Sequence, residues 1–91
     1  MYHRLDFFFS AHCPSCPAAL RCLRQFASTR PNVIVVEHDV EVSASRELAK
    51  RYQLIATPAL VIDGASVLYG VPHPDRVAAR VDETTDHRVE G

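Results

Sequence analysis

Two prolines three residues apart, in Cys13-Pro14-Ser15-Cys16-Pro17, restrict this chain more than any other feature. Proline lacks the backbone donor and crowds the preceding turn, so a helix accepts it only in its first turn, where no intrahelical partner is lost. Beyond the prolines, Ala19, Leu20, Leu23, Phe26 and Ala27 recur at helical spacing, with Arg21, Arg24 and Gln25 on the opposite side. A helix from about Pro14 to Ser28 is therefore expected to begin at the cysteines. Cys13 would sit at its cap and Cys16 within its first turn, leaving the amides of Ser15 and Cys16 free to point at the Cys13 sulfur.

The remaining elements follow from periodicity and turn chemistry. Leu5-Asp6-Phe7-Phe8-Phe9 reads as a buried strand, and the β-branched run Val33-Ile34-Val35-Val36 as a second. Asp39 to Ser43 opens a second helix with an apolar stripe of Ala44, Leu48, Ala49 and Tyr52. Thr57-Pro58 leads into a third strand, Ala59-Leu60-Val61-Ile62. Asp63-Gly64 then turns it into an antiparallel return over Ser66 to Tyr69. Pro74 suits the first position of a last helix that buries Val77, Ala78 and Val81. The order β-α-β-α-β-β-α implies an α/β fold, a mixed sheet of about four strands with helices on both faces. Strand–helix–strand units imply parallel pairing, with the hairpin as an antiparallel edge. One domain is expected over residues 1–82, followed by a polar C-terminal tail over 83–91.

Composition narrows the function. With a net charge of −1 the chain offers no positive field for nucleic acid or an anionic membrane. Its apolar runs are too short to span a bilayer, and its first residues make a poor signal peptide, so a cytoplasmic location is expected. Three cysteines are too few, and odd in number, for a secreted disulfide scaffold. In a reducing compartment a pair spaced like Cys13 and Cys16 is redox-active or metal-binding more often than structural. Cys22 reads as a small residue at the edge of the core.

Disulfide exchange needs a thiolate, and a helix N-terminus favours that anion through its unpaired N–H groups and dipole. Cys13, at the exposed tip, is expected to attack a substrate disulfide, and Cys16 to resolve the mixed disulfide. His12 would add positive charge beside Cys13 when protonated, and Pro14 and Ser15 would modulate the pair from within it. The alternative chemistry is soft-metal carriage: two thiolates on a strand-to-helix loop bind copper(I) or zinc. Small ferredoxin-like carriers, however, place their second and third strands in succession, whereas a helix signal here separates Val36 from Ala59.

Cys13-Pro14-Ser15-Cys16-Pro17-Ala18-Ala19 and Ala56-Thr57-Pro58-Ala59-Leu60-Val61-Ile62-Asp63-Gly64, in that order and on those elements, resemble the thioredoxin superfamily. Within it they are most similar to the small glutaredoxin-like thioredoxins of archaea and bacteria. The resemblance implies a thioredoxin-like fold and protein-disulfide oxidoreductase activity through a redox-active Cys13–Cys16 disulfide. It implies no further cofactor and no metal. It also implies a cis Pro58 facing the pair, with Thr57 offering backbone groups to an extended substrate. The implied partners are protein disulfides as substrates and a flavoprotein disulfide reductase or glutathione as electron donor, with the chain a monomer.

The sequence departs from the family's pattern at three places. His12 stands where thioredoxins carry a tryptophan. Asp6 is one residue off the spacing of the family's buried proton-relay acid, and strand alternation turns it to the other face, so it receives no such role. Gly70-Val71-Pro72-His73-Pro74-Asp75 matches the glutathione-holding segment of glutaredoxins only imperfectly, which makes a protein disulfide the expected substrate.

Overall fold

Strand β1 (His3–Phe9) runs through the middle of a four-stranded sheet. The other elements are α1 (Cys16–Ser28), β2 (Val33–Asp39), α2 (Ser43–Arg51), β3 (Ala59–Ile62), β4 (Ser66–Tyr69) and α3 (Pro74–Glu90). The computed structural model describes the backbone of residues 2–90 and the side chains of residues 2–82. Helix α3 continues past Val81, so the backbone beyond Asp82 is helical where the sequence suggested a tail. The side chains of that tail lie outside the described residues.

Sheet order is β2-β1-β3-β4. β1 and β2 pair in parallel, Leu5 opposite Val35 and Phe8 opposite His38. β3 pairs antiparallel with β1, and β4 antiparallel with β3. The parallel pairing expected of the second strand–helix–strand unit is thus corrected. α2, of nine residues, rises about 14 Å against the roughly 23 Å of the seven-residue β2, and residues 52–58 bring the chain to the Phe8 end of β1 rather than to its start. β3 therefore starts at the end where β1 and β2 finish and runs the other way.

Alternation along β1 divides the core. Leu5 and Phe7 pack with Leu23 and Phe26 of α1 and Val77 and Val81 of α3. Phe8 points to the opposite face, where Leu48 and Ala49 of α2 and Tyr52, just past its end, approach. Helices thus cover both faces. Ala44, expected in the α2 stripe, is exposed. β2 is an edge strand rather than a buried one, and Ile34 is 47% exposed. Its β-branched run meets strand preference without reporting position in the sheet.

The β3–β4 hairpin forms where Asp63-Gly64 required it. Both residues have positive φ, 51° and 69°, and Ala65 N–H closes the turn on the Ile62 carbonyl at 3.0 Å. Asp63 also ties the hairpin to β1, accepting from the Arg4 amide at 2.8 Å and lying 2.7 Å from His3 Nδ1.

Candidate active site at the head of the first helix

The cysteine turn hangs from the end of β1. Cys13 N–H donates to the Ser10 carbonyl at 3.2 Å, and His12 N–H to the Ser10 hydroxyl at 3.2 Å. Cys16 N–H then bonds the Cys13 carbonyl at 3.3 Å, and Ala19 N–H the Ser15 carbonyl at 3.0 Å. The helix accordingly begins at Cys16, with Ser15 as its cap and Pro17 in its first turn. The cap therefore lies two residues later than expected, and Cys13 and Pro14 stand just ahead of the helix. Of the two amides expected to face the Cys13 sulfur, that of Cys16 is committed to the Cys13 carbonyl. No acidic residue occupies the first turn of α1.

Cys13 and Cys16 are joined by a disulfide, their Cα atoms 5.4 Å apart. Cys16 is buried and Cys13 partly exposed, which matches an outer and an inner sulfur. Ser15 Oγ lies 3.7 Å from Cys13 Sγ. His12, Pro14 and Ser15 are all exposed. Cys22 is a partly buried free thiol on α1.

The Thr57–Pro58 peptide is cis, and the buried Pro58 accepts from Gly70 N–H at 3.0 Å. Ala59 pairs with Phe8, so Pro58 and Thr57 come level with Phe9 and Ser10, where the chain enters the cysteine turn. Among the described residues the amide and carbonyl of Thr57 have no backbone partner.

Two hollows flank this end of β1, one on each face. A hollow of about 310 Å³ abuts both cysteines and is walled by Phe7, Phe9, Ala11, Pro17 and Leu20. The other, of about 360 Å³, lies on the α2 side and is bounded by Phe8, Arg46, Lys50 and residues 54–57. Ser10 lines both. Its role was not drawn from the sequence, although a serine two residues before His12 at a strand end is a local turn signal.

Asp6 faces α2, as strand alternation requires. Its carboxylate lies 2.7 Å from His38 Nε2 and accepts from Arg4 Nε at 3.1 Å. The hollow beside Cys16 has Phe7 rather than an acid in its wall.

Two thiols that close a bond across the head of a helix, the inner one sheltered and the outer one reachable, define a thiol–disulfide oxidoreductase. A family model for the thioredoxin domain matches residues 6–82, and the chain belongs to that family. It is 33% identical over 69 residues to the thioredoxin of Methanocaldococcus jannaschii, spanning 76% of this chain and 80% of that one. To a probable thioredoxin of Methanothermobacter thermautotrophicus it is 28% identical over 83 residues, 91% of this chain and 96% of the relative. Among solved structures, oxidized mitochondrial thioredoxin 3 of Saccharomyces cerevisiae matches with a TM-score of 0.75 at 22% identity, covering 89% of this chain and 77% of that one. A mutant thioredoxin from Halobacterium salinarum matches with a TM-score of 0.75 at 21% identity, covering 89% and 73%. These two structures bear on the fold alone.

The soft-metal alternative finds no support in this fold. β1 lies between β2 and β3, α2 separates those two strands in the chain, and the family is one of disulfide exchange.

Proposed function

We propose that the reduced protein attacks disulfides of other proteins with Cys13 and resolves the product with Cys16. The observation that carries this reading is the Cys13–Cys16 bond itself, with its exposed and buried ends. The Cys13 thiolate attacks one sulfur of the substrate disulfide. That bond breaks, a Cys13–substrate disulfide forms, and the departing thiolate takes up a proton. Cys16, losing its proton, then attacks the Cys13 sulfur and releases the second substrate thiol, which is protonated in turn. Two electrons have passed to the substrate, and the Cys13–Cys16 disulfide is left. The dithiol must be regenerated by a flavoprotein disulfide reductase or by glutathione.

The start of α1 favours the attacking thiolate, since the positive end of its dipole lies beside the pair with no carboxylate in the first turn to oppose it. The Ser15 hydroxyl, 3.7 Å from the outer sulfur, and His12, the residue before Cys13, would modulate that thiol. Thr57 offers an unpaired amide and carbonyl to an extended substrate segment beside Pro58, in the manner of strand addition. The centre is the cysteine pair alone, with no further cofactor. A reducing, cytoplasmic setting suits such a pair. Among the described residues no helix is long and apolar enough to cross a membrane.

Equilibration in defined thiol–disulfide buffers tests the reading. A two-electron transition between about −270 and −180 mV is expected, the span of thioredoxin, glutaredoxins and protein disulfide isomerase. Failure of the two cysteines to form an internal disulfide in any buffer would sink it.

A further inference from the structure

The hollow on the α2 side has a composition that disulfide exchange does not require. Its ten lining residues include two cations, Arg46 and Lys50, and no acid. Arg46 is held over it: Nε donates to the Val40 carbonyl at 3.3 Å and Nη2 to the Glu41 carbonyl at 3.5 Å. Lys50 meets Glu47 at 3.5 Å, but both side chains are about 70% exposed, so that pair is weak and readily exchanged. Glu41 meets Ser10 at 3.4 Å at the rim without lining the hollow. Beneath the charges lies an apolar floor of Phe8, Val40, Ala49 and Leu54.

The opposite wall is the segment 55–57, which ends in the residue read above as the substrate's backbone partner. A chain paired at Thr57 advances about 3.3 Å per residue, so residues next to its cysteine reach the hollow. The occupant must then present methylene groups to the floor and negative charge to Arg46 and Lys50. We propose that this hollow is a specificity subsite, and that the preferred substrates are protein disulfides whose cysteine is flanked by Glu or Asp. The proposal rests on the oxidoreductase reading and adds the substrate class to it.

Two synthetic peptide disulfides test it, alike except for Glu or Lys at the two positions on each side of the cysteine. The fully reduced protein should show a kcat/KM roughly five-fold higher for the Glu peptide, an advantage that shrinks as salt is added. Lys50→Gln should cut that ratio toward one and Lys50→Arg should keep it. The fold of both variants is checked by circular dichroism, since Lys50 is exposed and off the core. Equal kcat/KM for the two peptides would overturn the subsite, as would a ratio untouched by Lys50→Gln. If Lys50→Gln slowed reduction of glutathione disulfide and left both peptides unchanged, the hollow would belong to the tripeptide and the proposal would fall. Reduction of neither peptide would overturn the oxidoreductase reading itself, and this proposal with it.

Discussion

His38 Nε2 lies 2.7 Å from the Asp6 carboxylate, on the face of β1 opposite the one that turns Phe7 toward the buried sulfur of Cys16. Asp6 is 2% exposed, also accepts from Arg4, and shares its face with Phe8, whose ring stacks on His38 at 4.6 Å. This buried cluster ties β1 to β2. Asp6→Ala would leave His38 without its acceptor and should cost about 1–3 kcal/mol of stability in urea unfolding. The rate of disulfide reduction at neutral pH should stay within about two-fold, because Asp6 does not face the cysteines. A rate loss of about a hundred-fold with unchanged stability would show that Asp6 does serve the pair.

Ser10 organises the cysteine turn through both its carbonyl and its hydroxyl. Ser10→Ala keeps the carbonyl and loses the acceptor for His12 N–H, an exposed bond of about 0.5–1.5 kcal/mol. The expected result is a small drop in Tm with a few-fold loss in kcat/KM, measured with one disulfide peptide. Unchanged kinetics would show that the turn holds without the hydroxyl.

Leu23 is fully buried between α1, the sheet and α3. Leu23→Ala should cost about 2–5 kcal/mol, through lost transfer energy and the cavity left behind. A cost below about 1 kcal/mol in denaturant titration would contradict the packing of α1 described above.

Asp63 joins the hairpin to β1 through the Arg4 amide and His3, which is 2% exposed. Asp63→Ala removes both contacts and should destabilise by about 1–3 kcal/mol. Because the hairpin turn lies at the end of β3 away from Ala59 and Pro58, the potential of the cysteine pair should not move. A shifted potential would show coupling along β3.

Much of this was legible in the residues. α1 announced itself through prolines ahead of a regular apolar face, and the β3–β4 hairpin through a four-residue apolar run closed by Asp63-Gly64. Turn and capping chemistry act over a few residues, and a sequence displays them directly. Strand order does not work that way. Val33 to Val36 look alike at an edge or in a centre, and the antiparallel entry of β3 depends on how far α2 carries the chain. The start of α1 moved to Cys16 because Pro14 can sit in a turn ahead of a helix as well as inside one. The Asp6–His38 contact depends on the β1–β2 register. Arg46 and Lys50 converge with segment 55–57 only once α2 has packed on Phe8. Those features reside in tertiary placement, for which single residue types carry little signal.

The most direct test is to incubate reduced Cys16→Ser protein with an oxidised protein disulfide and locate the adduct by mass mapping. Removal of the resolving sulfur should strand the substrate as a stable mixed disulfide on Cys13, while Cys13→Ser protein forms none and loses turnover. An adduct on Cys22, or full turnover by the Cys13→Ser protein, would contradict the mechanism.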